Sequence, residues 1–271
     1  MKNDMITVLK NDGIYEHTKR TIIGFASDGA SVMTGHRGGL GKLLGDAFGK
    51  QLYSIHCAPH KLQLAIGHSY EVDGLKFLKT DIESTVNSIY SFYNRNAVKR
   101  KASLRNTAEA LNEKLYELNY IFKIRWVSSE YGALERINRN YVVILTNMVA
   151  ILASPDFAND DDTRNTATAL SNRMLNIRFK AIMLFLMDVL NLLKVESLRL
   201  QATSGTLIGL EKYRNELLQS IRKLVHENGP ALTEFLAKYK CFKEVGRLVR
   251  CSTADLDDKT FVLNDQFSLS A

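Results

Sequence analysis

Three side chains, Asp28, Cys57 and His60, follow two short apolar runs and are the best placed in this chain to do chemistry. Ile22 to Ala26 leads through Ser27 into Asp28-Gly29-Ala30-Ser31, and Leu52 to Ile55 leads through His56 into Cys57-Ala58-Pro59-His60. Each run is short, apolar and β-prone, ends on polar residues and passes into a helical pattern, as parallel strands of an α/β sheet do. Both strands then end on the same side of the sheet, where open α/β folds place ligands and catalytic groups. A carboxylate there can help to hold a divalent cation. The Cys57-x-x-His60 spacing raises zinc, yet zinc takes three or four protein ligands, and His36, His56 and His68 complete no known spacing. Cys57 and His60 are therefore read as packing and hydrogen-bonding residues.

A second kind of chemistry lies further along. Arg95, Lys99, Arg100, Lys101 and Arg105 place five cations within eleven residues with no acid among them. A solvated helix end explains such a run, and so does a phosphate-binding patch. Lys123-Ile124-Arg125-Trp126 follows, and Ser128-Ser129-Glu130 has the composition of a helix cap. Two other motifs attract chemical readings and fail them. Gly35-His36-Arg37-Gly38-Gly39-Leu40-Gly41-Lys42 lacks the Gly-x4-Gly-Lys-Ser/Thr spacing of a phosphate loop, because Leu43 follows Lys42. Asp160-Asp161-Asp162 points three carboxylates in different directions from a loop, which suits a capped helix start better than a metal site.

The elements that carry these groups are mostly helical. Ile6 to Arg20 reads as a short helix with a turn at Asn11-Asp12-Gly13, and Leu40, Leu43, Leu44 and Phe48 form one face of a helix between the strands. Pro59 suits the first turn of the helix after Cys57. Val72 to Ser128 reads as long helix, with Leu75, Leu78, Ile82, Val86, Ile89, Phe92 and Tyr93 recurring three or four apart. Tyr131 to Ala153 continues the pattern until Ser154-Pro155-Asp156 breaks it. Helices follow over Thr166 to Leu200, Leu207 to Val225 and Ala231 to Val249, with a loose polar tail beyond Cys251 and no strand expected after residue 60.

Composition sets the bounds. The chain is 45% hydrophobic and 24% charged, ordinary for a packed protein. Its apolar stretches, such as Tyr141 to Ala153 and Ala181 to Leu193, fall short of the roughly 20 residues that cross a bilayer, so no membrane partner is expected. Met1-Lys2-Asn3-Asp4 leads into no signal-type apolar core. Three scattered cysteines give no disulfide framework and point to a reducing compartment. A net charge of +7 and a pI near 9.2 favour an anionic partner.

Ser27-Asp28-Gly29-Ala30-Ser31 with Met33, then Cys57-x-x-His60 opening a helix, then Arg125-Trp126 heading another, resemble in order and spacing the transposases of the hAT superfamily and host proteins derived from them. The resemblance covers about Thr21 to Lys240. It implies an α/β, mostly α chain: a truncated ribonuclease H-like fold with a short parallel two-stranded sheet, plus a large helical insertion. The expected divisions are residues 1–128 for the partial core and the first helices, 129–250 for the insertion and 251–271 for the tail. In that family an Asp, Asp, Glu triad holds magnesium. Asp28 matches the second acid, and Arg125 and Trp126 match an Arg-Trp pair beside the active site, where an aromatic ring stacks on an unpaired base for about 1 to 3 kcal/mol.

The chain departs from that family in ways that matter chemically. No aspartate on a preceding strand is identifiable, and Glu130, Glu135 and Glu196 fall too early or within the insertion to supply the third acid. The family's amino-terminal DNA-binding zinc finger has no counterpart. One carboxylate leaves magnesium mostly hydrated and weakly held. The expectation is a noncatalytic, transposase-derived nuclear protein without a cofactor, with Asp28 a vestigial metal ligand. It would contact DNA through Arg95, Lys99, Arg100, Lys101, Arg105, Arg125 and Trp126, or other proteins, or itself. The alternative is a fragment of an active transposase that cleaves and transfers DNA strands with magnesium, its other acids lying outside this chain.

Overall fold

The structure, a computed structural model, describes residues 1–72, 75–121, 127–201, 207–238, 241–245, 248–252 and 261–262. They divide into two compact units, Met1–Ser69 and Tyr70–Ala271. The helices that begin at Leu75 pack with one another and with those that follow.

In the first unit, α1 (Lys2–Asn11) and α2 (Tyr15–Thr21) precede β1 (Gly24–Ser27). Then come the single turn α3 (Ser31–Thr34), α4 (Leu40–Phe48), β2 (Tyr53–His56) and α5 (Ala58–Ser69). The turn between α1 and α2 falls at the Asn11-Asp12-Gly13 signal, with Gly13 at a φ of +70°. β1 and β2 form a two-stranded parallel sheet in which Gly24 faces Tyr53 and Ser27 faces His56. Leu40, Leu44 and Phe48 build the core of this unit, against Ile6, Leu9, Tyr15, Ile22, Phe25, Met33 and Leu52. The contact between α4 and the sheet is close: a Cβ on Gly41 would sit 2.9 Å from the Phe25 ring. The sheet is covered sparsely, with Ile23, Tyr53 and Ile55 all more than half exposed. Among the described residues each strand has a single strand neighbour, so both outer edges are unpaired.

The second unit is a helical bundle built from α6 (Leu75–Asn94), α7 (Val98–Ala110), α8 (Val127–Arg139) and α9 (Tyr141–Ala153). It continues through α10 (Asp161–Leu175), α11 (Ile177–Gln201), α12 (Leu207–His226) and α13 (Pro230–Lys238). Ile82, Val86, Ile89, Phe92 and Tyr93 of α6 are buried, so the three-and-four spacing did mark a core face. α11 packs against α8, α12 and α13, and Asp188 of α11 caps α13 from outside by accepting from the Ala231 and Leu232 amides at 2.9 and 3.1 Å.

Two expectations change here. The span from Val72 to Ser128 is not one helical stretch: the chain breaks at Asn96 and Asn112, both left-handed at φ 47° and 52°, and residues 113 to 121 form neither helix nor strand. Asparagine takes that conformation more readily than most residues, because its side chain bonds locally. The last helix also stops at Lys238 instead of Val249. Cys241–Val245 forms β3 and pairs antiparallel with β4, Leu248–Ser252, which pairs in turn with β5, Phe261–Val262. Part of the expected tail is thus strand, and the rest of it lies outside the described residues.

Candidate functional site

The Ser27-Asp28-Gly29-Ala30 motif is a turn stitched by its own atoms. The Ala30 amide donates to Asp28 Oδ1 at 3.0 Å, the Gly29 amide to Ser27 Oγ at 3.4 Å, and Thr34 Oγ1 to the Gly29 and Ala30 carbonyls at 3.1 and 3.2 Å. An aspartate bonding the amide two residues on is the Asx turn that starts many loops and helices. Asp28 itself is exposed. Gly29 is required twice, by its φ of +82° and by the ring of His56, which a Cβ at this position would approach to 2.5 Å.

The second strand end lies alongside. The Cys57 amide donates to the Ser27 carbonyl at 2.7 Å, tying the two ends together. Cys57 is half-buried, and the His56 and His60 rings stand 5.3 Å apart at a tilt of 32°. His56 Nε2 is buried without a hydrogen-bond partner, a cost of about 1 to 3 kcal/mol. Asp28, Cys57 and His60 therefore do gather at one end of the sheet. They do not fit a magnesium or zinc site: Asp28 is a single exposed carboxylate engaged in a turn, and no group of three or more His, Cys, Asp or Glu among the described residues could hold a metal ion.

A cavity of about 800 Å³ lies elsewhere, between α4 and β2, lined by Gly41, Lys42, Gly45, Lys50, Leu52 and Ser54 among others. Its two lysines are occupied. Lys42 pairs with Asp46, and Lys50 Nζ donates to the Arg20 and Ile22 carbonyls at 2.9 and 3.3 Å.

In the second unit the basic run does not form one face. Arg100 is structural: it donates to the Phe92 carbonyl at 2.7 Å, to Thr163 Oγ1 at 2.9 Å and to the Arg95 carbonyl at 3.1 Å. Lys101 donates to Asn94 Oδ1 at 3.3 Å. Arg95, Lys99 and Arg105 are exposed. At 100° per residue, Arg100 and Lys101 fall on opposite sides of the buried stripe of Leu104 and Ala108, with Lys99 on the far side of the helix. The Asp160 carboxylate, which caps α10 and lies near Lys99 and Arg100, is held below its ordinary range, first by the Thr163 amide. Arg125 and Trp126 lie outside the described residues.

Sequence reasoning missed a buried carboxylate. Glu130, in the first turns of α8, is only 8% exposed, and burial pushes its carboxyl up to about 7, offset by Lys79 and reinforced by Glu83. Lys79 Nζ stands 3.4 Å from Glu83 and 3.8 Å from the centre of the Tyr70 ring. Burial also raises the Tyr70 phenol, with help from Glu130 and then Glu83. A glutamate three residues after Val127 reads as an exposed helix-start residue, and nothing local marks it as buried.

It missed the path of residues 113–121 as well. Asn140 donates to the Tyr116 carbonyl at 2.7 Å and accepts from its amide at 2.9 Å, and Asn87 does the same for Ile121 at 3.1 and 2.8 Å. Each carboxamide thus pairs backbone groups that lie outside helix and strand. No family of known proteins, no curated protein and no solved structure matches this chain.

Proposed function

We propose that this chain is a noncatalytic protein derived from an hAT transposase, nuclear, and that it contacts nucleic acid through cations of its helical unit. In this reading β1, α4 and β2 are part of a ribonuclease H-like sheet, Asp28 is a vestige of the acidic triad, and Cys57 and His60 keep a packing role. The observation that carries it is the exposure of Arg95, Lys99 and Arg105 on a chain of net charge +7, while Arg100 and Lys101 are tied to the fold. Three exposed cations that each neutralise one phosphate give a salt dependence of binding with a log-log slope of about −2 to −3.

Fluorescence anisotropy of labelled DNA from low to physiological salt reads that slope. Replacing Arg95, Lys99 and Arg105 by Gln should abolish most of it, and Arg100 is left in place because its loss would damage the bundle. Absence of binding at low salt refutes the reading. In a parallel assay, magnesium-dependent nicking that disappears in Asp28→Asn would establish the alternative, a fragment of an active transposase.

A further inference from the structure

α7 and the residues after it form the walls of a groove of about 360 Å³. Leu104, Leu115 and Leu118 give it an apolar floor, and Lys101 and Arg105 line the α7 wall. These two cations are four residues apart, about one helical turn, and so point the same way. Arg105 is exposed and, among the described residues, makes no hydrogen bond or ion pair. The opposite wall is preformed: Asn140 clamps both backbone groups of Tyr116, and Arg136 donates to the Glu117 carbonyl at 2.9 Å. Lys114 Nζ and the Arg139 guanidinium stand 5.1 and 4.9 Å from the Tyr116 ring; Arg139 is paired with Glu135 at 2.9 Å, so Lys114 supplies the charge on that side. Glu117 is the one carboxylate among the lining residues and is exposed to water.

We propose that this groove is a subsite for one phosphate-bearing nucleotide of single-stranded nucleic acid. The proposal rests on the nucleic-acid reading above and names where and how an unpaired strand is held. A free guanidinium offers paired N–H donors that match phosphate oxygens, and the neighbouring ammonium adds charge. The leucine floor takes the face of the base or sugar. A volume near the lower end of that for small-molecule sites admits one nucleotide and is too small for a duplex. An isolated phosphoryl group would engage one or two cations. Here Lys114 continues the positive surface beyond Lys101 and Arg105, which suits a polyanion.

The test measures binding of a 5′-fluorescein-labelled oligothymidylate of eight nucleotides and of a hairpin duplex. It compares the full chain with Arg105→Gln and with Lys212→Gln, a change on α12 far along the chain from any site described. Arg105 supports no contact, so its replacement leaves the fold intact, which circular dichroism verifies. Arg105→Gln should weaken the single strand at least fivefold and reduce its salt slope by about one, with a smaller effect on the duplex. Thymidine 5′-monophosphate should compete for the wild type more strongly than for Arg105→Gln. Equal weakening by Arg105→Gln and Lys212→Gln overturns the groove while leaving nucleic-acid binding in place. Arg105-dependent binding of a phosphotyrosine peptide without binding of the oligonucleotide overturns the choice of ligand. No binding of any nucleic acid at low salt overturns both this proposal and the reading on which it rests.

Discussion

Replacing Glu130 by Gln should make the second unit more stable at neutral and alkaline pH and leave it unchanged in acid. In the folded chain this carboxyl is raised from 4.5 to about 7, with burial the main cause. Below about pH 4.5 folded and unfolded chains both hold the proton, and the group contributes nothing to the pH dependence. Between 4.5 and 7 the unfolded chain ionises while the folded one keeps its proton, so stability falls as pH rises; above 7 both are ionised and the loss is complete. A displacement of about 2.5 units at 1.36 kcal/mol each gives a loss of about 3 kcal/mol. Because Glu130 is only 8% exposed, water screens little of it.

Glutamine has nearly the shape of the protonated acid and never ionises. Wild type and Glu130→Gln should therefore agree at about pH 4 and below and separate by up to about 3 kcal/mol at pH 8, with the variant the more stable. Urea unfolding at half-unit pH steps measures this, and Trp126, the only tryptophan and four residues from Glu130, supplies the fluorescence probe. Comparing the two proteins cancels every other titrating group. Curves that stay parallel from pH 5 to 8, or a wild type that is the more stable at pH 8, would refute the burial argument.

Two further outcomes follow from the first unit. Gly29→Ala forces a positive φ on a residue with a Cβ and drives that Cβ into His56, so it should cost about 1 to 3 kcal/mol; pairing it with His56→Ala should recover the part due to the clash, and a double-mutant cycle with no coupling would show that the ring is not the obstacle. The exposed Tyr53 and Ile55 on a strand with a free, uncharged edge should promote self-association. Light scattering should show mass rising with concentration in the wild type and not in Ile55→Lys; a wild type that stays monomeric throughout would refute it.

How far the sequence reveals this fold follows from which interactions are local. The βαβ order of the first unit was legible because Ile22 to Ala26 and Leu52 to Ile55 are apolar runs bounded by polar turns, and Leu40, Leu44 and Phe48 keep helical spacing between them. Asp28 was legible as a strand-end residue. Its engagement with the Ala30 amide also follows the common habit of aspartate in turns. The basic run was legible only as a count of charges. Which of them stay free depends on Thr163, sixty-three residues from Arg100, and on the Phe92 carbonyl, and no local pattern reports either.

The asparagines show why the middle of the chain was hardest to read. Asn87 lies on a helix and Asn140 between two, where a carboxamide has no periodic meaning, yet each satisfies both backbone groups of a residue twenty-four or thirty-four positions away. A segment that forms neither helix nor strand leaves its backbone groups without regular partners, and a buried one left unpaired costs about 1 to 3 kcal/mol. The two clamps pair the backbone groups of Tyr116 and Ile121. They also fix Tyr116 opposite α7, which gives the groove beside Arg105 its second wall. The wall is thus shaped by a buried amide, Asn140, remote in sequence from the cations across the groove, and a search for charge alone finds half of it.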